Sequence, residues 1–502
     1  MALLKSVSGS IFVDILVLAV ALFAFTSYRS YNRLKHIPGP PLWGWTVLPL
    51  FMVHLRGEIY DVFGDLNKKY GPLVRIAPNT LLVSDPEELR KMSAARSPYT
   101  RSPWYVAMRV IPGVENVLST RDENDHDERR KKMASGYSGK ENVSLERDID
   151  ECVLDLVSLI DSKYISSPPD NIKKMDLARK VQFFTSDIMS KLAFDDKFHD
   201  LRDDHDNHGY INEIETMFPN MFCVCTVPSL LYFLTNIGVA KLLAPSVKDS
   251  FGLGKILAIT KKQVAKRFDS DGKPNTTRSD MLSSFLRHGL TQGEAEQEGV
   301  LQLAAGSDTT ATGLRSTLLC IISNPRVSAR LSAEIEDAVR SGKATSSKDG
   351  IITDEQARIL PYLQACIKEG LRWFPPIAGM LAKYTPPEGD TICGFHVPGN
   401  VSIGYSASAV HHSPALFGPD EEAFRPERWL TPAQGGDEPS VEKIRAMEKN
   451  NELLFGYGKY QCLGKSVAAI ELNKVVFEMM RRFDMTLKDL WVTARRREEI
   501  KG

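Results

Sequence analysis

Apolar residues recur at intervals of three and four along most of the chain from about residue 145 onward, the pattern of helices that bury one face. The longest such segment runs from Glu294 to Ser323, and Asn324-Pro325 ends it. Another carries an apolar stripe from Ala468 to Phe483. Earlier in the chain, Leu73–Ile76 and Thr80–Val83 flank Ala-Pro-Asn and predict a β-hairpin. The pattern therefore predicts a mainly α protein with small β-sheets, an α+β fold.

The first part of the chain is different, because it is apolar on every side from Ile11 to Phe25 apart from Asp14. With its neutral flanks this segment extends from about Gly9 to Thr26. A helix of that length would measure about 27 Å, close to the roughly 30 Å hydrocarbon core of a bilayer. The alternative is a cleaved secretory signal that begins around Lys5.

Charge asymmetry favours a membrane anchor over a secretory signal. One cation precedes the apolar segment, whereas Arg29, Arg33 and Lys35 follow it. By the positive-inside rule, the rest of the chain then lies in the cytosol. We therefore predict one transmembrane helix within an anchor at residues 1–28, a basic and proline-rich linker at 29–57, and one large domain at 58–502.

Composition narrows the class of function. The chain has 63 Lys+Arg and 63 Asp+Glu, and this zero formal net charge argues against a nucleic-acid partner. The 7 cysteines are odd in number and scattered, which argues against a disulfide framework and favours a reducing compartment. A functional cysteine must therefore act through its own chemistry rather than through pairing.

Polar residues interrupt the middle of the long helix, at Ala305-Gly306-Ser307-Asp308-Thr309-Thr310. A glycine inside a helix costs about 1 kcal/mol relative to alanine. The Thr309 hydroxyl can also bond back to the carbonyl of Ala305 and bend the helix. An acid beside a hydroxyl in a weakened helix is typical of a functional site, and a satisfied polar spot in a long helix is the alternative.

A glycine-rich loop from Phe455 to Gly464 contains Cys462 and leads into the last long helix. At a helix start, the helix dipole and the free backbone amides favour a thiolate. The alternative is a buried inert cysteine, the commoner role of an isolated one. Elsewhere, Glu369 and Arg372 share a helix face at i and i+3, which alone indicates no more than a surface ion pair.

Taken together, these motifs resemble the cytochrome P-450 family of haem-thiolate monooxygenases over essentially the whole body of the chain. The motifs stand in the family's order: Ala305 to Thr310, Glu369-x-x-Arg372, Phe424-Arg-Pro-Glu-Arg-Trp429, and Phe455-x-x-Gly458-x-x-x-Cys462-x-Gly464. Residues 96–104 and 455–465 are further similar to microsomal fungal members of the pisatin-demethylase type.

The resemblance implies a role for each matching residue. Cys462 would be the axial ligand of the iron in haem b. The other cofactor contacts would be Phe455, Gly458, Gly464, Arg130, His126, Ala305 and Gly306. Asp308 and Thr309 would be the catalytic pair that relays protons. Glu369, Arg372 and Arg428 would form a structural, buried charge triad.

One position departs from the family's pattern. The family carries a basic residue two positions before the cysteine, where it reaches a haem propionate, but this chain has Tyr460. A phenol donates one hydrogen bond and brings no charge. We therefore expect propionate binding to depend more on Arg130 and His126, and the affinity for haem to be affected while its identity is not.

The resemblance also implies partners and a location. Electrons would come from NADPH through NADPH-cytochrome P-450 reductase, with cytochrome b5 as a further donor, at the endoplasmic reticulum membrane. A basic docking face for the reductase would consist of Arg129, Lys131, Lys132, Lys459 and Lys465, and an ordinary solvated surface is the equal alternative. The pocket would be lined by residues 104–117, 377–380 and 301–305, which are mostly apolar and predict a lipophilic small molecule.

Three functions are compatible with these residues. The first is a membrane-anchored monooxygenase that inserts one oxygen atom from O2 into its substrate, in secondary-metabolite biosynthesis or detoxification. The second is an isomerase or dehydratase of the same fold that uses no O2, and the third is a non-catalytic haem-binding scaffold. The intact Asp308-Thr309 pair favours the first.

Overall fold

The computed structural model describes residues 24–167, 169, 171–239, 244–345, 350–437, 440–488 and 491–497, together with residues 14, 17, 21 and 22. Residues 24–34 are helical, and the further helices are α1 Leu48–Arg56, α2 Ile59–Tyr70, α3 Pro86–Ser93, α4 Glu123–Tyr137, α5 Leu145–Leu159, α6 Leu177–Phe194, α7 Asp200–Asp203, α8 Tyr210–Cys225, α9 Pro228–Asn236, α10 Gly252–Ala265, α11 Met281–Arg287, α12 Gln292–Ile322, α13 Pro325–Arg340, α14 Asp354–Arg358, α15 Pro361–Trp373, α16 Ala407–His411, α17 Pro414–Phe417, α18 Val441–Asn451 and α19 Lys465–Arg482. The strands are β1 Leu73–Ala77, β2 Thr80–Val83, β3 Thr100–Arg101, β4 Gly379–Tyr384, β5 Asp390–Ile392, β6 Phe395–Val397, β7 Ser402–Ser406, β8 Phe483–Lys488 and β9 Trp491–Arg496. The predicted mainly α architecture with small sheets is confirmed.

The largest sheet joins the two ends of the body. Its strand order is β1-β2-β7-β4-β3, with β2 and β7 parallel and the other neighbours antiparallel. The predicted hairpin is present as β1 and β2, with Leu73 opposite Val83. The pairs β5-β6 and β8-β9 form separate two-stranded sheets.

Helix α12 runs through the main apolar core and contacts α6, α15 and α19. It begins at a capping box, in which Thr291 and Glu294 satisfy each other's free amides, two residues before the predicted start. Its buried positions include Val300, Leu303 and Leu314. The helix therefore supports the polar residues at its centre on a rigid, tightly packed element.

The proline-rich linker is fixed to the sheet by a buried arginine. The Arg75 guanidinium donates to the carbonyls of Tyr31 and Gly44 at 2.9 and 3.0 Å. The Arg75 amide donates to Pro38 O at 2.7 Å, and a Cβ at Gly39 would lie 2.3 Å from Arg75 O. Glycine at position 39 thus allows the linker to lie directly against β1.

The predicted anchor at residues 1–28 lies largely outside the described residues. In the part of the chain that the structure describes, no single helix has the length and apolar character needed to cross a membrane. Helices α8 and α9 reach that threshold only as a pair, and the pair is bent by 91°.

Candidate active site

The cysteine loop holds Cys462 at the start of α19. The Cys462 amide donates to Phe455 O at 2.7 Å, which closes the loop. Gly458 has a φ of +57°, and a Cβ there would lie 2.1 Å from Ser93 O, so the loop conformation requires glycine at this position. Gly464 has an ordinary φ of −82°, and its conformation does not demand glycine.

Two backbone amides and one cation act on the sulfur of Cys462. Among the cysteines, all of which are described, Cys462 is exposed, whereas Cys152 and Cys366 are fully buried. Its surroundings raise the pKa of the Cys462 thiol by desolvation, while hydrogen bonds from the Gly464 and Lys465 amides and the charge of Arg130 oppose this. The donors are aimed at a sulfur anion, and a cation bound to the sulfur would complete its stabilisation.

The polar centre of α12 presents an accessible surface inside the molecule. Ala305 is exposed although Leu303 and Ala304 beside it are buried. The Thr309 hydroxyl donates to Ala305 O at 2.7 Å, which confirms the predicted back-bond. At Gly306 a Cβ would lie 2.6 Å from Met189 Sδ on α6, and its role as a cofactor contact stays a prediction. Glycine at position 306 therefore serves the close crossing of α12 and α6.

Asp308 lies on α12 within electrostatic reach of α8. Burial raises the pKa of its carboxyl, Arg315 on the same helix opposes this rise, and Glu215 on α8 adds to it. Arg315 is itself fixed by donation to Gln182 Oε1 at 2.6 Å and to Ala178 O at 3.1 Å. A carboxyl that is half-buried and harder to ionise can hold a proton near the Thr309 face.

Tyr460 is already engaged within the protein. Its hydroxyl donates to the Glu123 carboxylate, which also pairs with Lys459 Nζ at 2.8 Å. Lys459 Nζ further donates to the carbonyls of Ser97 and Tyr99 at 3.1 and 3.0 Å. Neither residue at this end of the loop is therefore directed at an external anion.

A group of cations surrounds Tyr460. Arg101 on β3 and Lys383 on β4 are directly paired across the sheet, an arrangement of like charges that is destabilising by itself. Lys383 Nζ lies 3.8 Å from the centre of the Tyr460 ring, and Arg101 Cζ lies 4.9 Å from it. Within the described residues, neither Lys383 nor Arg130 forms an ion pair with a carboxylate. An anion with two negative groups would satisfy this cluster.

The surroundings of His126 determine how it could contribute to the predicted propionate contact. His126 is buried, and desolvation followed by the charge of Arg101 lowers its pKa to about 3, so the ring is neutral. It can donate a hydrogen bond to a propionate but brings no charge.

Burial, with Arg101 and Lys459, also lowers the pKa of Lys383 to about 7, which an adjacent anion would raise. Sequence reasoning missed Lys383 because it lies in a strand outside the recognised motifs. It gave Arg101 no role, although Arg101 lies within the family-like segment 96–104.

The predicted basic docking face is also smaller than expected. Arg129 points toward α12, where it pairs with Glu298 at 3.2 Å and Glu294 at 3.4 Å. Lys459 pairs with Glu123 and donates to the carbonyls of Ser97 and Tyr99. In this set Lys131 remains exposed, and Lys132 pairs with Glu128 at 2.9 Å.

The charge triad is buried in the core rather than exposed. Arg372 Nε lies 2.8 Å from Glu369 Oε2, and Arg428 Nε lies 3.0 Å from Glu369 Oε1. Trp429 Nε1 donates to Glu369 Oε2 at 2.8 Å, and the Arg425 amide donates to Oε1 at 2.9 Å. Burial raises the pKa of Glu369, but the two guanidinium groups outweigh it and lower the pKa overall. The triad ties α15 to the segment that precedes the cysteine loop.

Comparison with known proteins agrees with this geometry. The Cytochrome P450 family profile matches residues 38–493. Cytochrome P450 monooxygenase ABA1 of Pyricularia oryzae is 41% identical over 481 residues, which cover 94% of this chain and 91% of that protein. Cytochrome P450 monooxygenase aba1 of Botryotinia fuckeliana is 38% identical over 456 residues, covering 90% and 87%. Cytochrome P450 monooxygenase abl1 of Leptosphaeria maculans is 33% identical over 494 residues, covering 96% and 84%.

The chain belongs to the cytochrome P450 family. Its enzyme class is haem-thiolate monooxygenase, its cofactor is haem iron, and a redox partner such as an NADPH-dependent reductase supplies electrons. The residues present fit haem, because an accessible thiol with two amide donors lies within electrostatic reach of Arg130. Arg130, Arg101 and Lys383 have no carboxylate ion-pair partner within the described part of the chain. The cysteine loop would hold the iron, and Arg130, Arg101 and Lys383 would hold the propionates.

Proposed function

We propose that this protein is a membrane-anchored monooxygenase that inserts one oxygen atom from O2 into a lipophilic small molecule of secondary metabolism. The observation that carries the proposal is Cys462, an exposed thiol that accepts hydrogen bonds from the Gly464 and Lys465 amides at a helix start. Haem, when bound, supplies the activation of O2 with electrons from the reductase. Cys462 would hold the iron to the loop through its sulfur.

The proposed proton-relay pair, Asp308 and Thr309, lies on α12. Thr309 Oγ1 can give up its bond to Ala305 O and donate a proton toward the reacting oxygen. Asp308, whose pKa burial raises, then returns a proton to the Thr309 side. An intact pair of this kind supports oxygen chemistry over the isomerase alternative, and the three compared relatives are all named monooxygenases.

The proposed substrate is lipophilic because the segment expected to line the pocket packs into an apolar cluster. Trp104, Tyr105 and Met108 are buried together with Met380 and are covered by Phe222 of α8. The Trp104 and Phe222 rings lie 6.0 Å apart. Walls of this kind stabilise a ligand mainly by burying its apolar surface.

The experiment that tests the proposed function is the carbon monoxide difference spectrum of the reduced, full-length protein. A band at the red-shifted position typical of thiolate ligation supports the assignment. Protein that folds and binds haem but gives a histidine-like band would overturn it.

Replacement of Thr309 by alanine is expected to uncouple the enzyme, because the distal proton donor is lost while the cysteine loop is untouched. We expect NADPH oxidation to continue, with most of the reducing equivalents released as peroxide and product formation reduced about 10²-fold or more. The measurement is the ratio of peroxide to NADPH consumed, with the lipophilic compound that gives the largest high-spin shift in a screening panel.

Thr317→Ala is the matched control for this variant. Thr317 lies on the same helix and makes the same back-bond, to Gly313 O at 2.8 Å, but it is fully buried. Equal coupling in Thr309→Ala, Thr317→Ala and the parent protein would remove Thr309 from the relay.

We further propose that residues 1–28 anchor the protein in the endoplasmic reticulum membrane as a single-pass helix, with the remaining chain in the cytosol. Apolar side chains exposed on two neighbouring parts of the body support a membrane-facing surface next to the anchor. These are Leu42 (74%), Leu48 (59%), Leu230 (52%), Phe233 (59%) and Ile237 (53%). Helix α1 packs against α8, which leads directly into α9, so the two parts are continuous. A lipid surface would cover them and bring cytochrome b5 and the reductase to the same plane.

Removal of residues 1–28 is expected to weaken membrane association without abolishing it, since the exposed apolar surface remains. Adding Leu230→Glu and Phe233→Glu should release the shortened protein into the soluble fraction. Liposome flotation measures both changes, with Ile359→Glu as a control at an apolar side chain of 61% exposure elsewhere. If the shortened protein is soluble before the glutamates are added, the body surface is not a membrane contact.

A further inference from the structure

The peptide of Val117 is held from two directions. Its amide donates to Glu298 Oε1 on α12 at 2.8 Å. Its carbonyl accepts from Arg101 Nη1 at 2.8 Å, and the same nitrogen donates to Thr120 O at 2.8 Å. Val117 lies in the loop between the 3-10 turn Pro103–Met108 and α4, which is the segment expected to line the substrate pocket.

The loop around Val117 is rigid by itself. Asn116 Oδ1 accepts from the amides of Leu118 and Ser119 at 3.0 and 2.8 Å, and Asn116 Nδ2 donates to Met108 O at 2.9 Å. Val117 packs against the main core that includes α12, whereas Leu118 packs against the apolar cluster around Trp104. A rigid turn with one side chain in each wall moves as a unit, so its outer attachments set its position.

Glu298 is built to make one of these attachments. It is fully buried, Arg129 Nη1 lies 3.2 Å from Oε1, and Oε2 has no hydrogen-bond partner among the described residues. Burial raises its pKa to about 7, against the opposing charge of Arg129. Burial of a carboxyl in this environment is unfavourable, and the hydrogen bond from the Val117 amide offsets part of that free-energy cost.

Glu298 also shares a helix face with the reacting side of α12. Positions 298, 305 and 309 are separated by seven and four residues, which places them within a narrow stripe at about 100° per residue. Ala305 and Thr309 are the accessible positions of that stripe. The Val117 loop is therefore attached to the same face that carries the proton donor, two to three turns away.

We propose that Glu298 is a positioning residue that fixes the Val117 loop against α12 and thereby sets the size of the opening to the oxygen-binding side of the site. The inference rests on the proposed function, because Thr309 marks that side. This positioning role belongs to the Glu298 carboxylate, which accepts the hydrogen bond from the Val117 amide. Arg129 contributes indirectly, because it holds Glu298 Oε1 in place. While the Val117 loop is held against α12, the position of Val117 excludes large substrates from the site, and the iron does not determine this exclusion.

The test measures how fast two iron-binding azoles associate with the haem-loaded protein, one small and one large. Imidazole serves as the small probe and a diphenyl-substituted imidazole as the large one, and Glu298→Met removes the acceptor with little change of volume. We expect the association rate of the large azole to rise by about tenfold, the factor that corresponds to loss of one hydrogen bond to a charged group. The rate for imidazole should stay within about twofold, since the small probe does not need the loop to open.

Glu294→Gln is the matched control. Glu294 also pairs with Arg129, at 3.4 Å, but it does not contact Val117, and glutamine preserves its capping role at the start of α12. It should leave both azole rates unchanged. Glu298→Gln, which keeps an oxygen for the Val117 amide, should give an intermediate large-azole rate and remains informative if the methionine variant does not fold.

Two readouts separate failure of this inference from failure of the proposed function. A normal carbon monoxide band in the variants keeps the cysteine assignment in place. If that band is normal and the ratio of large-azole to small-azole rates in both Glu298 variants equals that of Glu294→Gln, Glu298 is only structural and the positioning role is wrong. A lowered melting temperature alone would not alter that ratio.

Discussion

Cys462→Ala is expected to abolish the thiolate spectrum and all monooxygenase activity while leaving most of the helix content. In the proposed function this sulfur is the ligand that the loop would present to the iron, and no other cysteine is expected to replace it, because the remaining six are not exposed. The fold should survive, since the loop is closed by the Cys462 amide on Phe455 O, a backbone bond that alanine retains. The measurements are the carbon monoxide difference spectrum, haem content per protein and far-ultraviolet circular dichroism.

Cys320→Ala is the control for the loss of one thiol. Cys320 is a buried residue of α12 at 7% exposure, so its replacement should cost only packing and leave the spectrum intact. A thiolate band that persists in Cys462→Ala, or disappears in Cys320→Ala with the fold intact, would show that the ligand is assigned to the wrong cysteine.

The backbone architecture was predictable because its signals are local. The period of apolar residues located α12 to within two residues at its start, and the short β-rich segments located the hairpin of β1 and β2. The back-bond of Thr309 to Ala305 also follows from local spacing, since i and i−4 are always neighbours on a helix.

The charged part of the site was less predictable, because it depends on which strands pair. Arg101 and Lys383 are separated by most of the chain, and only the register of β3 against β4 brings them together. Arg129 was expected on a docking face, but its helix turns it toward Glu298, whose burial no local pattern indicates. The direction of a side chain at a helix surface depends on which elements pack beside the helix, and a single sequence does not show which elements those are.

The same limit applies to Glu369 and Arg372. Glu-x-x-Arg predicts only a pair on one helix face, and the pair Glu87 and Arg90 on α3 has the same spacing but an exposed carboxylate, since Glu87 is 69% exposed and Arg90 is 9% exposed. Glu369 and Arg372 are instead fully buried, and Arg428 joins them from a different part of the chain. The two pairs are therefore expected to contribute differently to the free energy of unfolding, although their local sequences are alike.

Glu369→Ala is expected to destabilise the protein by about 3–5 kcal/mol, because it leaves two guanidinium groups buried without a counter-charge. Glu87→Ala, the matched control, removes a surface partner and should cost less than about 1 kcal/mol. Urea unfolding followed by circular dichroism gives both free energies, and the haem content of Glu369→Ala should fall, since the triad ties α15 to the segment before the cysteine loop. If the two variants lose similar stability, the buried ion pairs contribute no more than a surface pair does. In that case the order of the cysteine loop must come from its own backbone bonds and from the packing of α19.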